Sequence, residues 1–243
     1  MTLLRLNNVG KSYGGVAALR GLSFDVGAGE IVGLMGANGA GKTTAFSLIA
    51  GTQPLTAGEI WFDGKRIDGK PAHAAARLGI GRTFQIVRPF PGLSVIDNLV
   101  VAAFYGRTRE HSRATAESRA RTILAEVGLA REAERRAETL TLAARKRLEI
   151  ARAIATGPRL LLLDEVLAGL TATEVAEALD VIRLLHRRYG LTLLVIEHVM
   201  RALMRLVQRI IVLHHGEKIA EGSPADIVAD PRVIASYLGT RKP

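Results

Sequence analysis

The chain contains no cysteine, which excludes disulfides, zinc–thiolate sites, iron–sulfur clusters and a thiolate nucleophile. The absence suits a reducing compartment. Aromatic residues are scarce, at 5% of 243 residues with a single tryptophan, so a surface that stacks successive nucleic-acid bases has little to be built from. Long hydrophobic runs are missing as well. Residues 191–196, which include Thr192, are among the longest, far short of the ~18 that a membrane-spanning helix needs. The opening Met1-Thr2-Leu3-Leu4-Arg5-Leu6 lacks the basic patch and apolar stretch of a secretory signal. A soluble chain is expected.

Acidic residues are the minority charge. Lys and Arg number 33 against 23 Asp and Glu, a formal net charge of +10. That excess suits an acidic partner: nucleic acid, an anionic membrane surface or a phosphorylated ligand. Hydrophobic residues at 48% and charged residues at 23% are ordinary for a globular protein and exclude wholesale disorder. The length fits one large domain, or one domain with a subdomain.

Residues 3–9, 22–26 and 31–34 read as short strands separated by glycine-containing turns. The period then changes, and residues 42–50 read as a helix stopped by Gly51. Asp63-Gly64 predicts a two-residue hairpin turn between residues 60–62 and 65–67. Residues 95–155 are helical in pattern and rich in arginine; between Arg107 and Arg152, 12 Lys and Arg face 7 Glu. Residues 161–163 and 193–196 are continuous apolar runs of the kind buried on both faces of a parallel sheet. Helical patterns at 172–188 and 200–206 alternate with them. Strand–helix alternation at both ends of the chain predicts an α/β core with a helical insertion.

Gly36-Ala37-Asn38-Gly39-Ala40-Gly41-Lys42-Thr43 fits G-x-x-x-x-G-K-[ST], with Thr44 next in the helix. Glycines let the backbone curl so that successive N–H groups face phosphate oxygens. Lys42 reaches the β- and γ-phosphates as a point charge, the Thr43 hydroxyl is a ligand for Mg²⁺, and the following helix adds its positive end. The apolar run 160–163 ends in Asp164-Glu165. An acid there can face the metal through water, and its neighbour can polarise an attacking water. These segments together predict nucleotide hydrolysis.

Further residues fall in a familiar order. Tyr13 lies in Lys11-Ser12-Tyr13-Gly14-Gly15, Gln85 in Arg82-Thr83-Phe84-Gln85, and Leu148-Glu149-Ile150-Ala151-Arg152-Ala153 precedes the acidic pair. Ala168-Gly169-Leu170 follows it, and His198 ends the run 193–196 after Glu197. Along nearly its whole length the chain resembles the ATP-binding-cassette ATPases. The resemblance implies a P-loop NTPase (RecA-like) α/β core with an N-terminal antiparallel β-sheet region and a helical subdomain insertion. It further implies a single domain over 1–243, with 86–157 approximately the subdomain.

In that family Tyr13 stacks on adenine, Gln85 links Mg²⁺ to the transport partner, Asp164 is the metal-binding acid, and Glu165 is the catalytic base. Ala168-Gly169-Leu170 form the D-loop, and His198 is the switch histidine. Residues 95–99, 196–200 and 230–239 narrow the resemblance to the ATP-binding subunits of branched-chain amino acid importers, with the lipopolysaccharide-transport ATPase a relative. It implies a peripheral subunit on the cytoplasmic face of the inner membrane, docked on permease subunits and served indirectly by a periplasmic binding protein. The charge excess between Arg107 and Arg152 points to the segment from Phe84 to Asn98 and the arginine-rich helices after it as the docking lobe, with Gln85 at its hinge. A soluble cassette ATPase acting on nucleic acid or ribosomes is the competing class. Such proteins usually carry two cassettes or a long coiled-coil insertion, and this chain has neither, so no nucleic-acid partner is expected. A module that holds nucleotide without hydrolysing it is disfavoured by Glu165.

Three positions depart from the family pattern. The signature Leu-Ser-Gly-Gly-Gln lines up with Leu140-Thr141-Leu142-Ala143-Ala144, the proline after the base is Val166, and the D-loop acid is Thr171. Because the departures fall on motifs that face a second cassette, a heterodimer with a different ATP-binding subunit is expected, with a homodimer as the alternative. His214-His215 is read as flanking a turn, and Arg201, Arg205 and Arg209 as a solvated helix face.

Overall fold

The computed structural model describes residues 1–84, 89–90 and 92–238, the side chains of Tyr237 and Leu238 excepted. The chain divides into two compact units, one of Met1–Ala72 with Thr192–Pro243 and one of His73–Leu191. In chain order, β1 (Thr2–Tyr13), β2 (Val16–Gly27), β3 (Ile31–Met35), α1 (Lys42–Ile49), β4 (Ala57–Phe62) and β5 (Lys65–Arg66) open the first unit. Next come α2 (Ala72–Leu78), β6 (Ile80–Arg82), α3 (Val95–Tyr105), α4 (Arg113–Glu126), α5 (Leu142–Ala155), β7 (Leu160–Asp164) and α6 (Ala172–Tyr189). The chain returns to the first unit with β8 (Thr192–Ile196), α7 (Met200–Leu206), β9 (Arg209–His214), β10 (Glu217–Gly222), α8 (Pro224–Ala229) and α9 (Pro231–Leu238).

In the first unit, an antiparallel sheet runs in the order β2-β1-β4-β5. Its register sets Leu4 beside Val26 and Phe62, and Leu6 beside Phe24 and Ile60, so one face of alternating apolar residues is buried. Asp63 and Gly64, both at positive φ, make the tight turn between β4 and β5, as the Asp-Gly pair predicts. β1 and β2 run well past the residues that alternation marks, because register shifts near Val9 and Lys11 break the period without breaking the pairing. The second sheet of this unit pairs β3 in parallel with both β8 and β9, and β10 closes its edge antiparallel to β9. Every residue of β3 and β8 is buried, the burial expected of apolar runs in a parallel sheet. The His215-Gly216 turn joins β9 to β10 with both residues at positive φ.

The second unit pairs β6 in parallel with β7, Arg82 opposite Leu162. Its helices α3, α4 and α5 occupy the arginine-rich stretch. Ser94, Ser112, Thr141 and Thr171 each cap a helix by accepting the backbone N–H three residues on. Thr171 and Glu174 complete a reciprocal capping box on α6. The D-loop position that lacks the family's acid therefore starts a helix.

Candidate functional site

In the first unit, β3 feeds the glycine-rich turn. Gly36, Gly39 and Gly41 all take positive φ. At Gly41 a side chain would stand 2.7 Å from the Ala18 carbonyl oxygen, and at Gly36 2.3 Å from that of Leu213, so both positions need glycine for space as well as for φ. Ala40 N–H donates to the Ala37 carbonyl at 3.1 Å, and Gly216 N–H to that of Ala40 at 3.1 Å. The Lys42 ammonium, buried at the start of α1, donates to the carbonyls of Gly36 at 2.7 Å and Ala37 at 3.0 Å. It thereby cross-braces the turn it follows.

Gly41 caps α1 without a side chain. Ala45 is the first helix N–H that meets an intrahelical carbonyl, that of Gly41. The N–H groups of Lys42, Thr43 and Thr44 precede it in the first turn, where a helix offers no internal acceptor. A curled loop, an uncapped helix start and a lysine together form an anion cradle. Asn38, Gly39 and the Thr43 side chain are exposed around it.

β8 lies parallel to β3 with Val195 opposite Gly33, so Glu197 and His198 leave the sheet at the same edge as the phosphate loop. That is the carboxyl edge, where ligands of open α/β sheets bind. Glu197 is buried and His198 exposed. Tyr13 ends β1 with its ring half-exposed and the Lys11 ammonium 4.8 Å from the ring centroid. Lys11 is anchored at 2.7 Å to the Pro54 carbonyl.

The second unit carries the acids. β7 ends at Asp164, 1% exposed, and Glu165 follows at φ 51°. Arg82, at the end of the parallel partner β6, donates to Asp164 Oδ2 at 2.9 Å. Thr83, fully buried, accepts the Asp164 N–H at 3.0 Å. In the sequence Arg82 and Thr83 are only neighbours of Gln85; the strand pairing gives them Asp164 as a partner. Lys146 on α5, also unsuspected, donates to the Glu165 carbonyl at 2.9 Å. Its signal in the sequence is a charged residue at i, i+3 spacing from Glu149 on the apolar face of a helix.

Thr141 of the signature position caps α5, its hydroxyl accepting the Ala144 N–H at 3.3 Å, and Leu142 is half-exposed. Gln85 lies outside the described residues. Each unit offers a hard oxygen donor of the kind Mg²⁺ takes, the exposed Thr43 hydroxyl in the first and the Asp164 carboxylate in the second. No helix among the described residues is long and apolar enough to cross a membrane.

Residues 19–168 match the family model described as ABC transporter, and residues 217–242 that of the branched-chain amino acid ATP-binding cassette transporter. The chain is 39% identical over 249 residues to the high-affinity branched-chain amino acid transport ATP-binding protein LivG of Escherichia coli strain K12, covering 98% of both chains. It is 37% identical over 239 residues to the lipopolysaccharide export system ATP-binding protein LptB of the same strain, again covering 98% of each. Among solved structures, the ADP conformation of MJ1267, an ATP-binding cassette of an ABC transporter, superposes with a TM-score of 0.88 at 29% identity, covering 98% of this chain and 99% of that one.

Proposed function

Because the chain belongs to the ATP-hydrolysing ATP-binding subunits of ABC transporters, we propose that it drives uptake of branched-chain amino acids or related amides. The observation that carries the solute class is the match of residues 217–242, which span β10, α8 and α9, to the branched-chain cassette model. The identity to LivG over nearly the whole chain supports it. LptB is the weaker relative, and an export role is the second reading. The partners proposed are permease subunits, docked through the helices after Phe84, and a second ATP-binding subunit, with a periplasmic binding protein upstream. The subunit sits on the inner face of the cell membrane.

In this reading ATP is the substrate. Tyr13 presents its ring to the adenine, the N–H groups of residues 36–44 hold the phosphates, and Lys42 exchanges loop carbonyls for phosphate oxygens. Thr43 and Asp164 are the protein's oxygen donors toward Mg²⁺, which when bound neutralises phosphate charge and polarises the phosphoryl oxygen. Glu165 accepts the proton of the attacking water, His198 is the switch histidine, and Gln85 keeps the role that the resemblance implies. The single domain over 1–243, with 86–157 as its helical subdomain, belongs to the same proposal.

Deleting the gene and scoring uptake of radiolabelled leucine, isoleucine and valine tests the solute. Uptake is expected to fall and to return with the wild-type chain but not with Glu165→Gln. Unchanged uptake with lipopolysaccharide missing from the cell surface would transfer the protein to the export reading.

A further inference from the structure

One face of α5 carries three charged side chains in a row at i, i+3 and i+6, the buried Lys146 and Glu149 and the partly buried Arg152. Lys146 is 6% exposed and Glu149 4%. Burying such groups costs several kcal/mol each unless hydrogen-bonded partners offset it. Much of that partnership comes from loops. The Lys146 ammonium donates to the carbonyl oxygen of Glu165, and Glu149 accepts the backbone N–H of Phe84. Arg152 donates to Glu149 at 3.2 Å and lies 4.9 Å over the Phe90 ring. Burial pushes the Glu149 carboxyl up, against the pull of Arg152, the Phe84 N–H and Lys146.

Glu165 needs holding. Its backbone, at φ 51°, sits in the left-handed region, which costs an L-residue roughly 1–2 kcal/mol, and such strain persists only when the surroundings over-determine it. Val166 cannot stiffen this turn as a proline would. The Glu165 carbonyl instead receives two donors, Lys146 Nζ at 2.9 Å and the Ala168 N–H at 3.3 Å. The first comes from a helix capped by Thr141, five residues before Lys146.

We infer that Lys146 is the positioning residue for Glu165: its ammonium pins the Glu165 carbonyl, fixes the direction in which the base projects, and makes the signature helix and the base one rigid piece. Glu149 is the counter-charge that keeps the ammonium buried. The inference rests on Glu165 being the general base. It assigns α5 a task besides presenting the signature, since any shift of Thr141 along the helix axis is delivered to Glu165 through about one and a half turns and one hydrogen bond.

The test compares Lys146→Met, Lys146→Arg and Glu165→Gln in the full-length chain within its transporter complex. It reads kcat, KM for ATP and amide exchange of residues 164–169. Lys146→Met keeps length and apolar bulk but loses the donor. It is expected to lower kcat roughly ten- to a hundredfold with KM within about twofold, the pattern of a lost transition-state contribution, and to speed amide exchange around Glu165. Lys146→Arg is expected to restore both within a few-fold, which filling space alone would not do. If Lys146→Met fails to fold, the Lys146→Met/Glu149→Gln double variant removes both buried charges and carries the same readouts. Wild-type kcat and exchange in Lys146→Met, beside a dead Glu165→Gln, would overturn the inference and leave the base in place. Substantial turnover in Glu165→Gln would instead remove the base reading, and the inference with it.

Discussion

Arg82 and Asp164, 82 residues apart in sequence, form an ion pair of 2.9 Å whose side chains are only 10% and 1% exposed. Truncating one member of a buried pair is far more damaging than the pair is stabilising, because a charge is left inside without its counter-charge. Arg82→Met is expected to destabilise the chain by about 3–5 kcal/mol, read as a lower midpoint in urea. Arg82→Met/Asp164→Asn should recover a large part of that loss, and equal midpoints for the single and double variants would contradict the coupling.

Lys42→Ala is expected to weaken ATP binding at least tenfold by calorimetry. The ammonium both opposes phosphate charge and braces the carbonyls of Gly36 and Ala37, so its loss leaves the cradle less positive and less shaped. Equal affinity in the variant would remove the phosphate-site assignment.

Tyr189 gives the chain a marker at alkaline pH. Burial, then its hydrogen bond to Glu126 and that residue's charge, push the phenol up from 10.0 to about 12. The folded state therefore holds this proton more tightly than the unfolded chain does. The stabilisation is complete below pH 10 and fades as pH rises toward 12. A phenolate absorbance step near pH 12 should vanish in Tyr189→Phe, and that variant's melting temperature should fall less between about pH 9 and 11.

The signature departs from its family pattern while keeping a hydroxyl at Thr141, and that hydroxyl is engaged as the helix cap. Thr141→Ala should cost about 1 kcal/mol of stability through the lost cap. In a heterodimer with unequal sites, inactivating Glu165 should stop most turnover and inactivating the partner cassette's base should stop little. Equal losses would point to a symmetric pair.

The glycine-rich turn before α1, the strand ending at Asp164 and the Asp63-Gly64 hairpin were legible because each is a local pattern of consecutive residues. So was α7, whose expected and observed bounds coincide at 200–206. Arg82 was not legible as the partner of Asp164, because only the parallel pairing of β6 with β7 brings them together. Lys146 and Glu149 entered only the charge count of a basic helical stretch, and composition carries no sign of the side on which a charge falls. Thr171 reads in sequence as the loss of a D-loop acid, whereas the capping box it makes with Glu174 is a gain for α6. β1 outran its apolar alternation because register shifts let pairing continue where the pattern stops.

The two carbonyls that Lys42 grips have a kinetic consequence. A phosphate entering this loop replaces ligands that the ammonium already has, so loading is an exchange reaction and its rate includes letting go of Gly36 and Ala37. Departure runs the same exchange in reverse, with the two carbonyls waiting to recapture the lysine. In the proposed reading the loop thus competes with its own ligand for the lysine, and a departing phosphate leaves the ammonium partnered rather than bare.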